Sequence, residues 1–346
     1  MTRTATRVVF PEIKRTEWER VSLPDTLEPT EVLVKAVRTL VSAGTEIAIY
    51  SGTHINSGVP GARYPRYPFY PGYAFAGTVE AIGAEVTGFE PGDRVAGSMH
   101  HQDLVVVDLG PPGSAGQDAL ERIPDGVSFE QACLARLSMI SMQGVRLSRL
   151  VLGEHVAVFG QGLIGQFARQ LAGISGAATI IAVDLIDARL EVARRHGATH
   201  LVNPSRVDLA TAIAEATEGK GVDVAIEATG NPTVTNDALK SAARLGRVIL
   251  LGSPRGTLEI DIYRDVHGKG VSIIGAHANT TPAVPNGFHP WTVAEHRRLA
   301  MELIRQGRLR TDGLVTHHLP AAEALPIWDA LMTDQQAYLG VIIDWD

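Results

Sequence analysis

Two rhythms of apolar and polar positions divide the chain. Between residues 155 and 277, short apolar runs alternate with longer stretches whose apolar positions recur every three or four residues. The runs are 156–159, Thr179–Val183, His200–Val202, 222–228, 247–252 and 271–276. The periodic stretches follow from Ile164 and over 188–196, 209–217 and 235–245. Runs this short and β-branched predict strands buried on both faces, and the alternation predicts a parallel sheet covered by helices. Residues 1–150 lack it. Their strand candidates, 7–10, 31–39, 76–82, 93–96 and 104–107, are punctuated by Pro71-Gly72 and Pro91-Gly92. That pattern predicts a mostly antiparallel, barrel-like unit. Phe129, Ala132, Cys133, Ala135, Met139, Met142 and Val145 fall at helical spacing and lead into the alternating region. After residue 277 the pattern reverts to loop, one helix carrying Leu299, Ala300, Leu303 and Ile304, and a terminal strand at 339–345.

The first strand of the alternating region runs straight into Gly160, Gly162 and Gly165, and then into a helix. In such a turn the first glycine permits the tight bend and the second lets backbone approach a pyrophosphate. The third allows close packing of helix on strand. The N–H groups that open the helix, around Leu163 and Ile164, would then face the phosphates. The second strand ends in Asp184, nineteen residues past Gly165. A carboxylate there can accept both ribose hydroxyls of an adenosine, and it would repel a 2′-phosphate. No arginine follows it directly, so the predicted cofactor is NAD; Arg189 stands close enough in sequence to compensate its charge. Ligands of open parallel sheets sit at the carboxyl ends of the strands, which adds Thr229, Gly252, Ser253, Ala276 and His277 to the cofactor candidates.

Composition narrows the class. A chain of 346 residues predicts two domains, and 45% hydrophobic with 20% charged residues is ordinary for a soluble protein. The formal charge of −7 argues against nucleic-acid or anionic-membrane partners and leaves a small-molecule substrate. The single cysteine, Cys133, excludes a disulfide framework and a cysteine-based zinc finger. There is no signal-like segment and no run of 18 apolar residues, so a cytoplasmic setting is expected. A loop at 53–73, with Tyr64, Tyr67, Phe69 and Tyr70 among prolines, reads either as a rigid surface loop or as an aromatic wall over a substrate. A second loop, 110–116, reads as an excursion without chemistry.

Several segments resemble the medium-chain dehydrogenase/reductase superfamily. Residues 43–52 (AGTEIAIYSG) are similar to its C-G-T-D-x-H-x-x-x-G segment, and 71–79 (PGYAFAGTV) to its P-G-H-E-x-x-G-x-V. Residues 89–95 (FEPGDRV), the nucleotide unit and the ending LGVIID fit as well. The nearest likeness in motif is to the bacteriochlorophyllide-dehydrogenase-like and threonine–sorbitol dehydrogenase-like branch. The resemblance implies an α/β chain: a GroES-like catalytic domain at 1–146, a Rossmann domain at 147–277, and a return segment at 278–346. It also implies a homodimer or homotetramer associating through the edge strand at 271–276.

The departures from the family pattern set the expected chemistry. At the three positions where zinc-dependent members hold their catalytic metal, this chain has Ala43, Tyr73 and Arg136, and the glutamate of the second motif is Ala74. Neither alanine nor arginine is a zinc ligand, and one cysteine cannot build the family's four-cysteine site, so a zinc-independent member with no bound metal is expected. A rescue by His54, His100 or His101 is the competing reading. Without the metal, Tyr73 is the expected acid/base, Arg136 its electrostatic support, and Thr45 and Glu46 its orienters. The relay histidine of the family is Ala48 here. His277, His289 and Trp291 are further candidates to line the substrate site. The expected reaction interconverts a secondary alcohol and its ketone with NAD. The alternatives are an enone or quinone reductase using NAD(P)H, and a nucleotide-binding protein without turnover.

Overall fold

The computed structural model describes residues 3–111, 114–287 and 289–346. In chain order the first elements are β1 (Thr4–Val9), β2 (Glu17–Ser22), β3 (Glu31–Leu40), α1 (Ala43–Tyr50), β4 (Phe75–Ile82), β5 (Arg94–Gly97), β6 (Leu104–Asp108), β7 (Leu120–Arg122) and α2 (Phe129–Ser148). Then come β8 (His155–Phe159), α3 (Leu163–Ile174), β9 (Thr179–Val183), α4 (Asp187–Arg195), β10 (His200–Val202), α5 (Leu209–Ala216), β11 (Val222–Glu227), α6 (Pro232–Ser241), β12 (Ala242–Leu250) and β13 (Ser272–Gly275). The chain closes with α7 (Val293–Arg305), β14 (His317–Pro320), α8 (Ile327–Thr333) and β15 (Val341–Asp344).

It divides into two compact units. One comprises Met1–Arg136, Arg297–Arg305 and Val315–Asp346; the other comprises Leu137–His296 and Gln306–Leu314. Both boundaries of the central region are displaced from the sequence division at 146/147 and 277/278. The second half of α2 joins the nucleotide unit, and so do residues 278–296.

In the nucleotide unit the order β10-β9-β8-β11-β12-β13 is parallel throughout. Val156, Ala157, Val158 and Phe159 of β8 are fully buried, as a central strand covered on both faces requires. The strand order reverses between β8 and β11, where such sheets form their ligand crevice. One expected helix is corrected. Residues 235–245 do not form it; α6 begins at Pro232, because Asn231 caps it by accepting from the Thr233 N–H (3.0 Å) and proline suits a first turn. It ends at Ser241, since Ala242 adopts an extended backbone and opens β12.

The other unit is built on a sheet of order β14-β15-β3-β4-β5-β7, with β6 also pairing with β3. All its pairings are antiparallel except β14 with β15. A β1–β2 hairpin stands apart. Sequence pattern missed β2, β7, β14 and α8. The first three are three to six residues long with few buried positions, and α8 is only seven residues. One buried cluster in this unit joins Phe10, Ile49, Tyr50 and Trp328, and another joins Val34, Phe75, Val79 and Val95. Of the loop at 110–116, Pro112 and Gly113 lie outside the described residues. No described helix is long and apolar enough to cross a membrane.

Candidate active site

The dinucleotide candidates all fall at the carboxyl edge of the parallel sheet. Gly160 leaves β8 with φ +88°, and a Cβ there would press on the Thr229 methyl group. A Cβ on Gly165 would collide with the Gly160 carbonyl oxygen, so α3 can lie this close to β8 only with glycine. Nothing lies within 4 Å of where a Cβ on Gly162 would be. Gly162 is the N-cap of α3 and supplies no side chain, so the open helix end presents backbone N–H groups, Leu163 and Ile164 among the first. This cradle fits a pyrophosphate.

Asp184 stands at the end of β9. Its carboxylate accepts the Gln161 N–H (2.5 Å) and the Ile186 N–H (2.8 Å). A carboxylate has about four acceptor positions, so two remain for ribose hydroxyls. Burial lowers the Arg189 pKa, and Asp184 opposes that shift across space. Thr229 follows β11, Gly252 and Ser253 follow β12, and Ala276 and His277 follow β13. Sequence reasoning missed Glu227, the fully buried last residue of β11. Its carboxylate accepts the N–H groups of Thr229 (2.6 Å) and Gly230 (3.0 Å) and also the Thr229 hydroxyl, which fixes the turn beside Gly160. Burial raises its pKa, against these donors.

His289 and Trp291 do not stand free beside a ligand. The His289 Nε2 faces the Gln143 Oε1 (2.7 Å) and its Nδ1 the Trp291 carbonyl (2.8 Å), while Arg146 stacks on the Trp291 ring at 3.7 Å. Gln143 donates in turn to the Thr280 hydroxyl (2.9 Å), so α2 holds the segment that follows β13. His277 accepts the Asn279 N–H and caps a short 3-10 turn.

In the other unit the cluster grows from the N-terminus of α1. Ser42 occupies the N-cap but does not cap; its hydroxyl bonds instead to the Tyr73 hydroxyl. Glu46 does the holding. Its Oε1 accepts the Ser42 N–H (2.8 Å), and its Oε2 accepts from Trp328 Nε1 (2.9 Å) and lies 3.2 Å from His101 Nε2. Glu46 is 1% exposed and His101 not at all. Glu46, expected as an orienter of Tyr73, reaches it through Ser42: it fixes the Ser42 N–H, and the Ser42 hydroxyl meets Tyr73. Thr45 is a polar neighbour of the Tyr73 hydroxyl and lowers its pKa. The Arg136 guanidinium lies 5.2 Å from the Tyr73 ring centre. Burial raises the Tyr73 pKa; the Ser42 bond, Thr45 and the Arg136 charge pull it down, and Glu46 adds to the rise.

These residues do not fit a zinc ion. Among the described residues no group of three or more His, Cys, Asp or Glu is arranged to hold a metal. His101, a candidate for a rescued site, is already held by Glu46 and by Thr39 Oγ1 (2.8 Å). The aromatic loop is largely committed to packing. Tyr67 donates to the Ile49 carbonyl, Phe69 packs against Phe10 and Tyr70 lies under Arg7. Tyr64, 46% exposed, remains, with its ring edge-on to His54 at 5.4 Å. Tyr73 raises its pKa across space, behind the larger effect of burial.

A parallel sheet with a glycine turn open to an anion, joined in the chain to an antiparallel unit that carries the Tyr73 cluster, is the architecture of the dehydrogenase class of oxidoreductases. Comparison with known proteins gives the family. Residues 28–119 match the alcohol dehydrogenase GroES-like domain, and 164–293 match the zinc-binding dehydrogenase family. The D-guloside 3-dehydrogenase of Escherichia coli is 30% identical over 70% of this chain and 68% of its own. The L-threonine 3-dehydrogenase of Caldanaerobacter subterraneus is 32% identical over 71% and 76%. The crystal structure of 2R,3R-butanediol dehydrogenase from Bacillus subtilis superposes with TM-score 0.80 at 24% identity, over 98% of this chain and 99% of that one. The chain belongs to the medium-chain dehydrogenase/reductase family.

Proposed function

We propose that the protein is an NAD-dependent dehydrogenase that interconverts a secondary alcohol and its ketone, with a tyrosine where zinc-dependent members keep their metal. The observation that carries this reading is the Tyr73 hydroxyl, bonded to Ser42, with Thr45 as a polar neighbour and Arg136 beside the ring. Bound NAD would accept the hydride from the carbinol carbon. The residues of the chain manage the proton. In the reductive direction Tyr73 gives its proton to the carbonyl oxygen; in the oxidative direction its phenolate takes the hydroxyl proton. Burial favours the neutral phenol, so at neutral pH the cluster is set for reduction. Arg136 stabilises the developing alkoxide, as the metal does elsewhere. The similar D-guloside and L-threonine 3-dehydrogenases support a secondary hydroxyl as the reacting group. Asp184 supports NAD over NADP. We place the activity in the cytoplasm, and we take the outer edge of β13, where Ile273 is exposed, as the surface for self-association.

The test follows NADH absorbance in both directions with chelator present. NAD is offered with polyols, sugars and secondary alcohols; NADH or NADPH with ketones, enones and quinones. Turnover of an alcohol–ketone pair with NAD is the expected result. Turnover of enones or quinones alone, with NADPH, would replace this reading by a double-bond reductase. Binding of NADH with no turnover would leave a nucleotide-binding protein.

A further inference from the structure

Arg136 differs from Arg7, Arg38 and Arg297 of the same unit. Arg7 pairs with Glu19 at 2.6 Å, and Arg38 with Asp344 at 2.7 Å and Asp346 at 2.8 Å. Arg297 donates to the Asp118 carbonyl at 2.8 Å and faces Glu121. Arg136 has no acidic partner among the described residues. Its Nε–H bonds to Ser98 Oγ at 3.0 Å, which fixes the plane of the guanidinium, and both Nη groups are left without a protein acceptor there. Burial lowers its pKa, with Tyr73 the one ionisable group opposing the shift. A half-buried cation without a counter-charge is open to an anion, and a planar fork with two free Nη groups matches the two oxygens of a carboxylate.

We propose that Arg136 reads a carboxylate on the substrate, so that the alcohol oxidised is an acid-bearing one, of the hydroxy-acid or sugar-acid class. The inference rests on the alcohol–ketone reading above and names its substrate class. One guanidinium supplies one positive charge, which suits a singly charged carboxylate better than a phosphate dianion. With the guanidinium 5.2 Å from the Tyr73 ring centre, a carboxylate on the Nη groups leaves a hydroxyl a carbon or two away within reach of the Tyr73 hydroxyl. A neutral polyol would occupy one Nη donor at most.

The test uses the full chain with NAD and matched substrates: sorbitol against gluconate, 2,3-butanediol against 3-hydroxybutyrate, and sorbitol 6-phosphate as a further arm. The acids are expected to show about 10- to 100-fold higher kcat/KM than their neutral partners. Arg136→Gln removes charge from the developing alkoxide as well, so it should slow the acid and the neutral member of each pair alike; beyond that it is expected to abolish the ratio between them by raising KM for the acids, and Arg136→Lys to keep part of the ratio. In parallel, the NADH complex is titrated with gluconate by NADH fluorescence, which needs no turnover. Neutral substrates used as well as acids, or an acid preference that survives Arg136→Gln, would overturn the inference while alcohol oxidation stands. A larger preference for sorbitol 6-phosphate, lost in Arg136→Gln, would overturn the carboxylate in favour of phosphate. Gluconate bound by the wild type and not by Arg136→Gln, with no alcohol oxidised, would support the carboxylate site and remove the hydride-transfer reading.

Discussion

Tyr73 and Glu227 carry the sharpest expectations at the scale of single residues. Tyr73→Phe removes one oxygen and keeps the ring, so turnover should fall by about 10²- to 10⁴-fold with NADH affinity unchanged, read by stopped-flow rates and fluorescence titration. An unchanged rate would remove Tyr73 from the chemistry. Its raised pKa fixes the pH dependence. Oxidation needs the phenolate, so its rate should climb with pH beyond the ordinary phenol range, while reduction stays level through neutrality and declines there. Glu227→Gln places an N–H donor among the donors of Thr229 and Gly230, and NADH should bind about tenfold more weakly. Equal affinity would mean that the turn keeps its shape without the carboxylate. Tyr73, Arg136 and Thr45 were legible in the sequence because they stand at motif positions. Ser42 and Glu227 were not: a serine at an N-cap and an acid ending a strand are ordinary until the structure shows what their oxygens hold.

At the scale of elements, the glycine turn between β8 and α3 separates packing from binding. Gly165→Ala drives a methyl into the Gly160 carbonyl and should cost about 1–3 kcal/mol in urea unfolding. Gly162→Ala meets nothing within 4 Å, so stability should be kept while NADH affinity falls, because the added methyl occupies the pyrophosphate approach. The opposite pattern would place the phosphates elsewhere. In the nucleotide unit α6 and the start of β12 were misplaced by three to five residues, whereas α4, α5 and β13 were readable to within a residue and β9 and β10 to the residue. Short strands such as β7 and β14 were not, because three or four half-exposed residues carry no periodicity. The error at α6 came from extending an apolar pattern past Ser241, where Ala242 and Ala243 suit either backbone.

For the whole molecule, acid stability should be governed in part by His296 of α7. Burial, with Arg146 and His289 adding positive charge and Glu295 opposing them, pushes its pKa down to about 4. In the unfolded chain it returns to about 6.5. Between these values the unfolded state takes up a proton that the native state refuses. Stability is therefore full above pH 6.5 and falls with pH, by roughly 3 kcal/mol at the bottom of the window. Urea denaturation at pH 7 and pH 5 should show a loss that is smaller in His296→Gln; equal losses would assign the effect to other groups. The two-domain plan was visible from the change of rhythm near residue 150. Its boundary was not, because α2 runs unbroken through Arg136 and belongs to both units.

The pairing of β15 with β3 sets Ile342 opposite Leu40 and Asp344 opposite Arg38, nearly the full chain apart. Contacts that distant in sequence close slowly. During synthesis all six parallel strands are made by Gly275, while the antiparallel sheet waits for β15, on the order of ten seconds later at ordinary elongation rates. The nascent chain therefore holds a finished nucleotide sheet and an unfinished antiparallel one, whose β3 edge stays open to wrong partners until β15 is made.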